Sequence, residues 1–197
     1  MLEALLGWDE RVFRLLNASW LHPVLDQVMP LVTDARNYLI PFILAAIVIL
    51  SIGRQRSLRF LILATVSVVV ADALSAQVFK QAFFRTRPCI ALEGVRQLAG
   101  CVNSPSFPSN HAVNAATLAT LTTRYWPRLW LPAVGLTILV GYSRIYVGSH
   151  YPLDVLLGGA LGIAVAFVFS GIMSLLWPSD SGPGERRHLF TFKFGDR

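Results

Sequence analysis

His150 and Asp154 stand four residues apart with Pro152 between them, and proline is a favoured first residue of a helix. On a helical turn the carboxylate lies beneath the imidazole and can accept a ring N–H, which fixes the tautomer and leaves the other nitrogen as a free nucleophile. A second histidine, His111, follows Pro108-Ser109-Asn110. Coming from a different segment, it can donate a proton to a departing oxygen and then act as base for water. Three cations, Lys80, Arg87 and Arg144, belong to the same set. Arginine offers phosphate a bidentate fork and lysine a point charge, so together they suit an anion with several negative oxygens and would neutralise a transferring phosphoryl group. Ser109 stands where an N-cap belongs, which lets the first amides of the following helix point at an oxyanion. Because three cationic side chains supply what a metal clamp otherwise would, neither a metal nor another cofactor is expected.

These residues are scattered over 75 positions, so larger elements must bring them together. Of the 197 residues 54% are hydrophobic and 14% charged, against about 25% charged in soluble domains. That composition excludes a disordered chain and argues against an ordinary water-soluble enzyme. A spanning helix needs about 20 mostly apolar residues, and five stretches approach this, over 38–52, 58–79, 109–126, 129–142 and 153–177. The expected fold is all-α, a polytopic membrane helical bundle of five to six transmembrane helices in one domain, 36–178. In the last stretch Gly158 and Gly162 form a small-xxx-small face for close helix packing. Residues 1–35 carry Glu3, Asp9, Glu10, Arg11 and Arg14 among leucines and read as an interfacial amphipathic arm, or alternatively as a short sixth span near 21–32. No signal peptide is expected, because acidic residues come early and no small-residue cleavage site follows. Residues 179–197 read as a cytoplasmic tail.

The net charge of +6 does not point to nucleic acid, since the basic residues lie between apolar segments rather than in an aromatic-interleaved patch. Arg54, Arg56, Arg59, Arg124, Arg128 and the tail cations share one side, which the positive-inside rule makes cytoplasmic. The opposite side gathers Lys80, Arg87, Ser109, His111, Arg144, His150 and Asp154, in a bacterium the periplasmic face of the inner membrane. Taken singly, Arg36, Arg85 and Arg96 read as snorkelling cations and either histidine as an interfacial residue. Convergence of two histidines and three bases at one depth outweighs that reading. Asp72, inside the second stretch, normally faces protein; a structural hydrogen-bonded role outweighs a polar network under the site. Cys89 and Cys101 fall in the external segment, where they either stay free or close a loop contributing ~3 kcal/mol.

The pattern resembles the tripartite signature of the type 2 phosphatidic acid phosphatase superfamily. Lys80 precedes Arg87-Pro88 by six intervening residues, Pro108-Ser109-Asn110-His111 follows, and Ser143-Arg144 is separated from His150 by five residues and His150 from Asp154 by three. The resemblance implies His150 as a nucleophile forming a phosphohistidine, Asp154 as its orienting carboxylate, His111 as general acid, and Lys80, Arg87, Ser109, Asn110 and Arg144 as phosphate ligands. Asn110 departs from the glycine or acidic residue common in the family, which bears on substrate choice rather than on activity. The expected activity is removal of a terminal phosphate from a membrane lipid phosphate or diphosphate, undecaprenyl pyrophosphate foremost, with phosphatidylglycerophosphate, phosphatidate or lipid A 1-phosphate as alternatives. A protein that binds or moves anionic lipids without hydrolysis, and a vanadate-dependent oxidant, are readings from other classes.

Overall fold

The computed structural model describes residues 1–19 and 21–177, so the expected tail lies outside the described residues. Helix α1 (Leu2–Arg14) passes through a π-helical turn at Leu15–Ser19 and is followed by α2 (Pro23–Thr33). The α2 helix starts on a proline, with the His22 side chain accepting from the Val24 N–H. A 3-10 turn leads into α3 (Leu39–Ile52), and after Gly53 α4 (Arg54–Ala73) runs back. A π-helical stretch at Leu74–Phe79 joins α4 to α5 (Lys80–Phe83), and the short α6 (Pro88–Ala91) opens the segment before α7 (Asn110–Tyr125). Helices α8 (Trp130–Tyr146) and α9 (Pro152–Leu176) complete an all-helical bundle.

Each of the five apolar stretches is helical, but among the described residues three helices are long and apolar enough to cross a membrane: Gln55–Ala91, Pro127–Tyr146 and Pro152–Leu176. A fourth crossing results if Pro23–Thr33 and Ala35–Ser51, bent by 72°, count as one. This is fewer than the five to six expected, and α7 accounts for part of the difference. It has 16 residues, about 24 Å of helix, and carries Asn114, Thr117 and Thr120. Packed against α4, α8 and α9, it needs no apolar surface for lipid. Leucines, isoleucines and valines on the outer faces of α3, α4, α8 and α9 are exposed, as lipid contact requires.

The core away from the site holds Phe60, Leu63, Ala64, Leu121 and Ala166. The α7–α9 contact depends on the two glycines. A Cβ added at Gly158 would lie 3.0 Å from the Ser109 carbonyl, and one at Gly162 would run into the Val113 carbonyl and sit 3.0 Å from Thr117 Oγ1. The close approach also lets Thr117 Oγ1 donate to the Gly162 carbonyl at 3.1 Å. Gly162→Ala is therefore expected to cost about 1–3 kcal/mol and lower the melting temperature in detergent. Gly159→Ala, with nothing within 4 Å, should leave it unchanged; equal melting of the two variants would contradict this packing.

Candidate active site

The chain ends α4–α5, opens α7, ends α8 and opens α9 at one end of the bundle. Between α8 and α9 it reverses at Gly148, whose φ of +82° is the left-handed region where a side chain is strained. There Ser149 N–H and His150 N–H both donate to the Arg144 carbonyl, at 3.0 and 3.2 Å. His150 is thereby tied to the last turn of α8, and it is 1% exposed. Arg87 Nη1 stands 3.0 Å from His150 Nε2. A guanidinium can only donate, so Nε2 accepts and the ring proton belongs on Nδ1. Nδ1 faces Asp154 Oδ2 at 3.6 Å, beyond hydrogen-bond length but close enough for the charge to act. Burial pushes the His150 imidazole down to about 3, against the opposing pull of Asp154, so the ring is neutral with its lone pair on Nε2.

Asp154, wholly buried at the third position of α9, accepts the Tyr151 N–H on Oδ2 at 2.9 Å. Its backbone carbonyl accepts from Ser109 N–H at 3.0 Å, which ties the start of α9 to the start of α7. Ser109 is the N-cap of α7, yet its hydroxyl is fully buried, does not cap the helix and has no partner among the described residues. Arg87 precedes Pro88 at the start of α6; its remaining donors reach the Ser104 carbonyl at 2.9 Å, Ser104 Oγ at 3.1 Å and the Ser149 carbonyl at 3.2 Å. Arg144 Nη1 bonds Thr33 Oγ1 at the end of α2, while its buried Nε has no partner among the described residues. Lys80, half-buried, lies within Coulombic reach of Arg87, Arg144 and Asp154, and His111, in the first turn of α7, reaches the Thr33 backbone.

The structure thus gathers all the sequence-derived site residues, but Asn110 presents its side chain elsewhere. Asn110 Nδ2 donates to Asp72 Oδ1 at 2.9 Å and its Oδ1 accepts from Ser75 Oγ at 2.8 Å. Asn114 Nδ2 also donates to Asp72, at 3.1 Å. Asp72 therefore anchors the first turns of α7 to α4, and what Asn110 can offer an anion is its N–H. Arg85 and Arg96 do not snorkel. Arg96 pairs with Asp26 at 2.7 Å, which holds the guanidinium above its usual range. Arg85 forks between Asp9 and Asp154 at 2.6 and 2.8 Å. Sequence reasoning missed Arg85, Asp9 and Thr33; Arg85, two residues before Arg87, had a positional signal and the other two had none. Cys89 and Cys101 are bonded, with Cα atoms 6.1 Å apart, closing the loop that follows Arg87.

An all-helical bundle embedded in a membrane, with two histidines and three cations collected at one end, defines a class of membrane phosphatases. The family model of the PAP2 superfamily matches residues 58–177. The chain belongs to that superfamily and is a PAP2-type lipid phosphatase. It is 28% identical over 155 residues to the undecaprenyl-diphosphatase BcrC of Bacillus subtilis, covering 79% of this chain and 78% of that one. Among solved structures it is similar to the transmembrane PAP2-type phosphatidylglycerolphosphate phosphatase of Bacillus subtilis, with TM-score 0.65, 25% identity and 88% of each chain covered. It is also similar to LpxE of Aquifex aeolicus, with TM-score 0.63, 27% identity, and 82% of this chain and 93% of that chain covered.

Proposed function

We propose that the protein is a metal-independent undecaprenyl-diphosphate phosphatase that works through a phosphohistidine on His150, with its site on the periplasmic face of the inner membrane. The observation that carries this reading is the Arg87 donor on His150 Nε2, because it puts the nucleophilic lone pair beside a phosphate-binding cation and the ring proton toward Asp154. Nε2 attacks phosphorus as the bond to the bridging oxygen breaks, and His111, its pKa held down to about 4 by burial and the neighbouring cations until the substrate phosphate offsets their charge, gives the proton it then carries to that oxygen. Water, deprotonated by His111, then attacks the phosphohistidine; the P–N bond breaks and phosphate leaves. Lys80, Arg87 and Arg144 neutralise the phosphoryl oxygens, with the Ser109 hydroxyl and the Asn110 N–H as donors. The prenyl chains remain in lipid alongside the exposed apolar faces.

Undecaprenyl diphosphate is preferred over the other lipid phosphates by the likeness to BcrC, and LpxE and the phosphatidylglycerolphosphate phosphatase keep the other head groups in the test. Two features support the orientation. Arg56, Arg59 and Arg124 lie at the end of the bundle opposite the site, where Arg59 covers the Trp177 ring at 4.5 Å and Arg124 that of Phe167 at 5.1 Å. The Cys89–Cys101 bond stands at the site end, in keeping with an oxidising compartment. Detergent-purified protein in excess chelator is expected to release phosphate fastest from undecaprenyl diphosphate, in a panel with phosphatidylglycerophosphate, phosphatidate and a lipid A 1-phosphate. Faster release from another lipid would reassign the substrate, and activity lost in chelator but restored by a divalent metal would contradict the metal-free mechanism.

A further inference from the structure

We propose that Asp9, on α1, is a positioning residue for the nucleophile, acting through Arg85 on Asp154. The proposal rests on the phosphohistidine reading above and extends the working site to a residue far outside the matched stretch 58–177. Asp9 is 0% exposed although it belongs to a charged N-terminal segment, and its oxygens have two partners. Oδ2 pairs with Arg85 Nη2 at 2.6 Å, and Oδ1 accepts the Leu153 N–H at 2.9 Å in the first turn of α9. Arg85 turns its other terminal nitrogen to Asp154 Oδ1 at 2.8 Å and lies over the Tyr151 ring at 3.9 Å from its centroid. Tyr151 in turn packs on Phe13 of α1, ring centroids 5.5 Å apart. One guanidinium therefore serves two buried carboxylates, and the α1 helix is docked on the turn that carries His150.

The charge arrangement gives this a chemical consequence. Arg85 paired with Asp154 alone would be a neutral pair, with little field left for the ring. With Asp9 taking half of the same guanidinium, Arg85 neutralises the Asp154 carboxylate less fully, and Asp154 keeps negative charge to set against His150 Nδ1. Attack by Nε2 makes the imidazole ring cationic, so that residual charge stabilises the phosphohistidine and the transition state leading to it more than the ground state. The low dielectric of the buried site strengthens the effect. In Asp9→Asn the carboxylate charge is lost, Arg85 belongs to Asp154 alone, and the oxygen that accepts from Leu153 can stay.

The test is a double-mutant cycle of Asp9→Asn and Asp154→Asn on the full-length protein, with kcat and KM measured on a radiolabelled lipid substrate and folding checked by gel filtration and circular dichroism. Asp9→Asn should lower kcat about tenfold or more with KM within about twofold. On the Asp154→Asn background the same change should cost less than about twofold, since its target is gone. An equal loss on both backgrounds, or a change in KM alone, would overturn the proposal. If Asp9→Asn is not recovered folded, Arg85→Lys, whose single ammonium cannot serve both carboxylates at once, takes its place in the cycle with the same expectation. His150→Ala is run beside it: full activity there would overturn the phosphohistidine reading and the relay together, whereas an inactive His150→Ala with an additive cycle overturns the relay alone.

Discussion

His150→Ala is expected to lower kcat for lipid phosphate hydrolysis about 10⁴-fold or more, because it removes the atom to which the phosphoryl group is transferred. Binding should survive far better than turnover. Arg87 keeps its hydrogen bonds to the Ser104 and Ser149 carbonyls, Arg144 its bond to Thr33, and the turn at Gly148 is held by backbone bonds. The variant should therefore still bind substrate with a Kd within about tenfold of wild type while releasing no phosphate. Unchanged turnover in a folded His150→Ala would remove this residue from the chemistry; loss of both binding and fold would show that the substitution reports on structure.

His111→Ala should show a loss that depends on what departs. A general acid contributes about 10²–10⁴-fold, and the contribution grows with the basicity of the leaving oxygen. From an alkyl phosphate lipid such as phosphatidate the leaving group is an alkoxide, which needs the proton. From a diphosphate it is a phosphate oxygen, a much weaker base. The variant is thus expected to lose about 10³-fold on phosphatidate and markedly less on undecaprenyl diphosphate, measured as kcat for each lipid against wild type. The same loss on both would mean that His111 acts in the shared hydrolysis of the phosphohistidine, or on the fold, rather than as the acid for the departing oxygen.

Much of the site can be read along the chain because its members are spaced by motif and carried to one level by helix topology. Lys80 opens α5 directly after the π-helical continuation of α4, Arg144 lies in the last turn of α8, and Pro152 starts α9 so that Asp154 falls one turn from His150. What cannot be read is side-chain direction and the docking of the N-terminal segment. Asn110 is correctly placed in the first turn of α7, yet only the fold reveals that Asp72 and Ser75 take its amide. Asp9 looks like the polar face of an amphipathic helix, since nothing local distinguishes a carboxylate facing water from one facing Arg85. The α7 stretch has nearly the length of a span, and its enclosure by α4, α8 and α9 explains why it tolerates Asn114 and its threonines. Arg85 and Arg96 read as snorkelling cations because their carboxylate partners, Asp9 and Asp26, come from a distant part of the chain.

The most direct test of the central claim is to trap the intermediate. Full-length protein would be mixed for a fraction of a turnover with lipid radiolabelled in its terminal phosphate and quenched in alkali, where a phosphohistidine survives, with a parallel sample held in acid, where it does not. Label that stays on the protein in alkali, is lost in acid, maps by proteolysis to His150 and fails to form in His150→Ala is the result predicted. Phosphate release at the normal rate with no label on the protein, or label that maps to another residue, would contradict it.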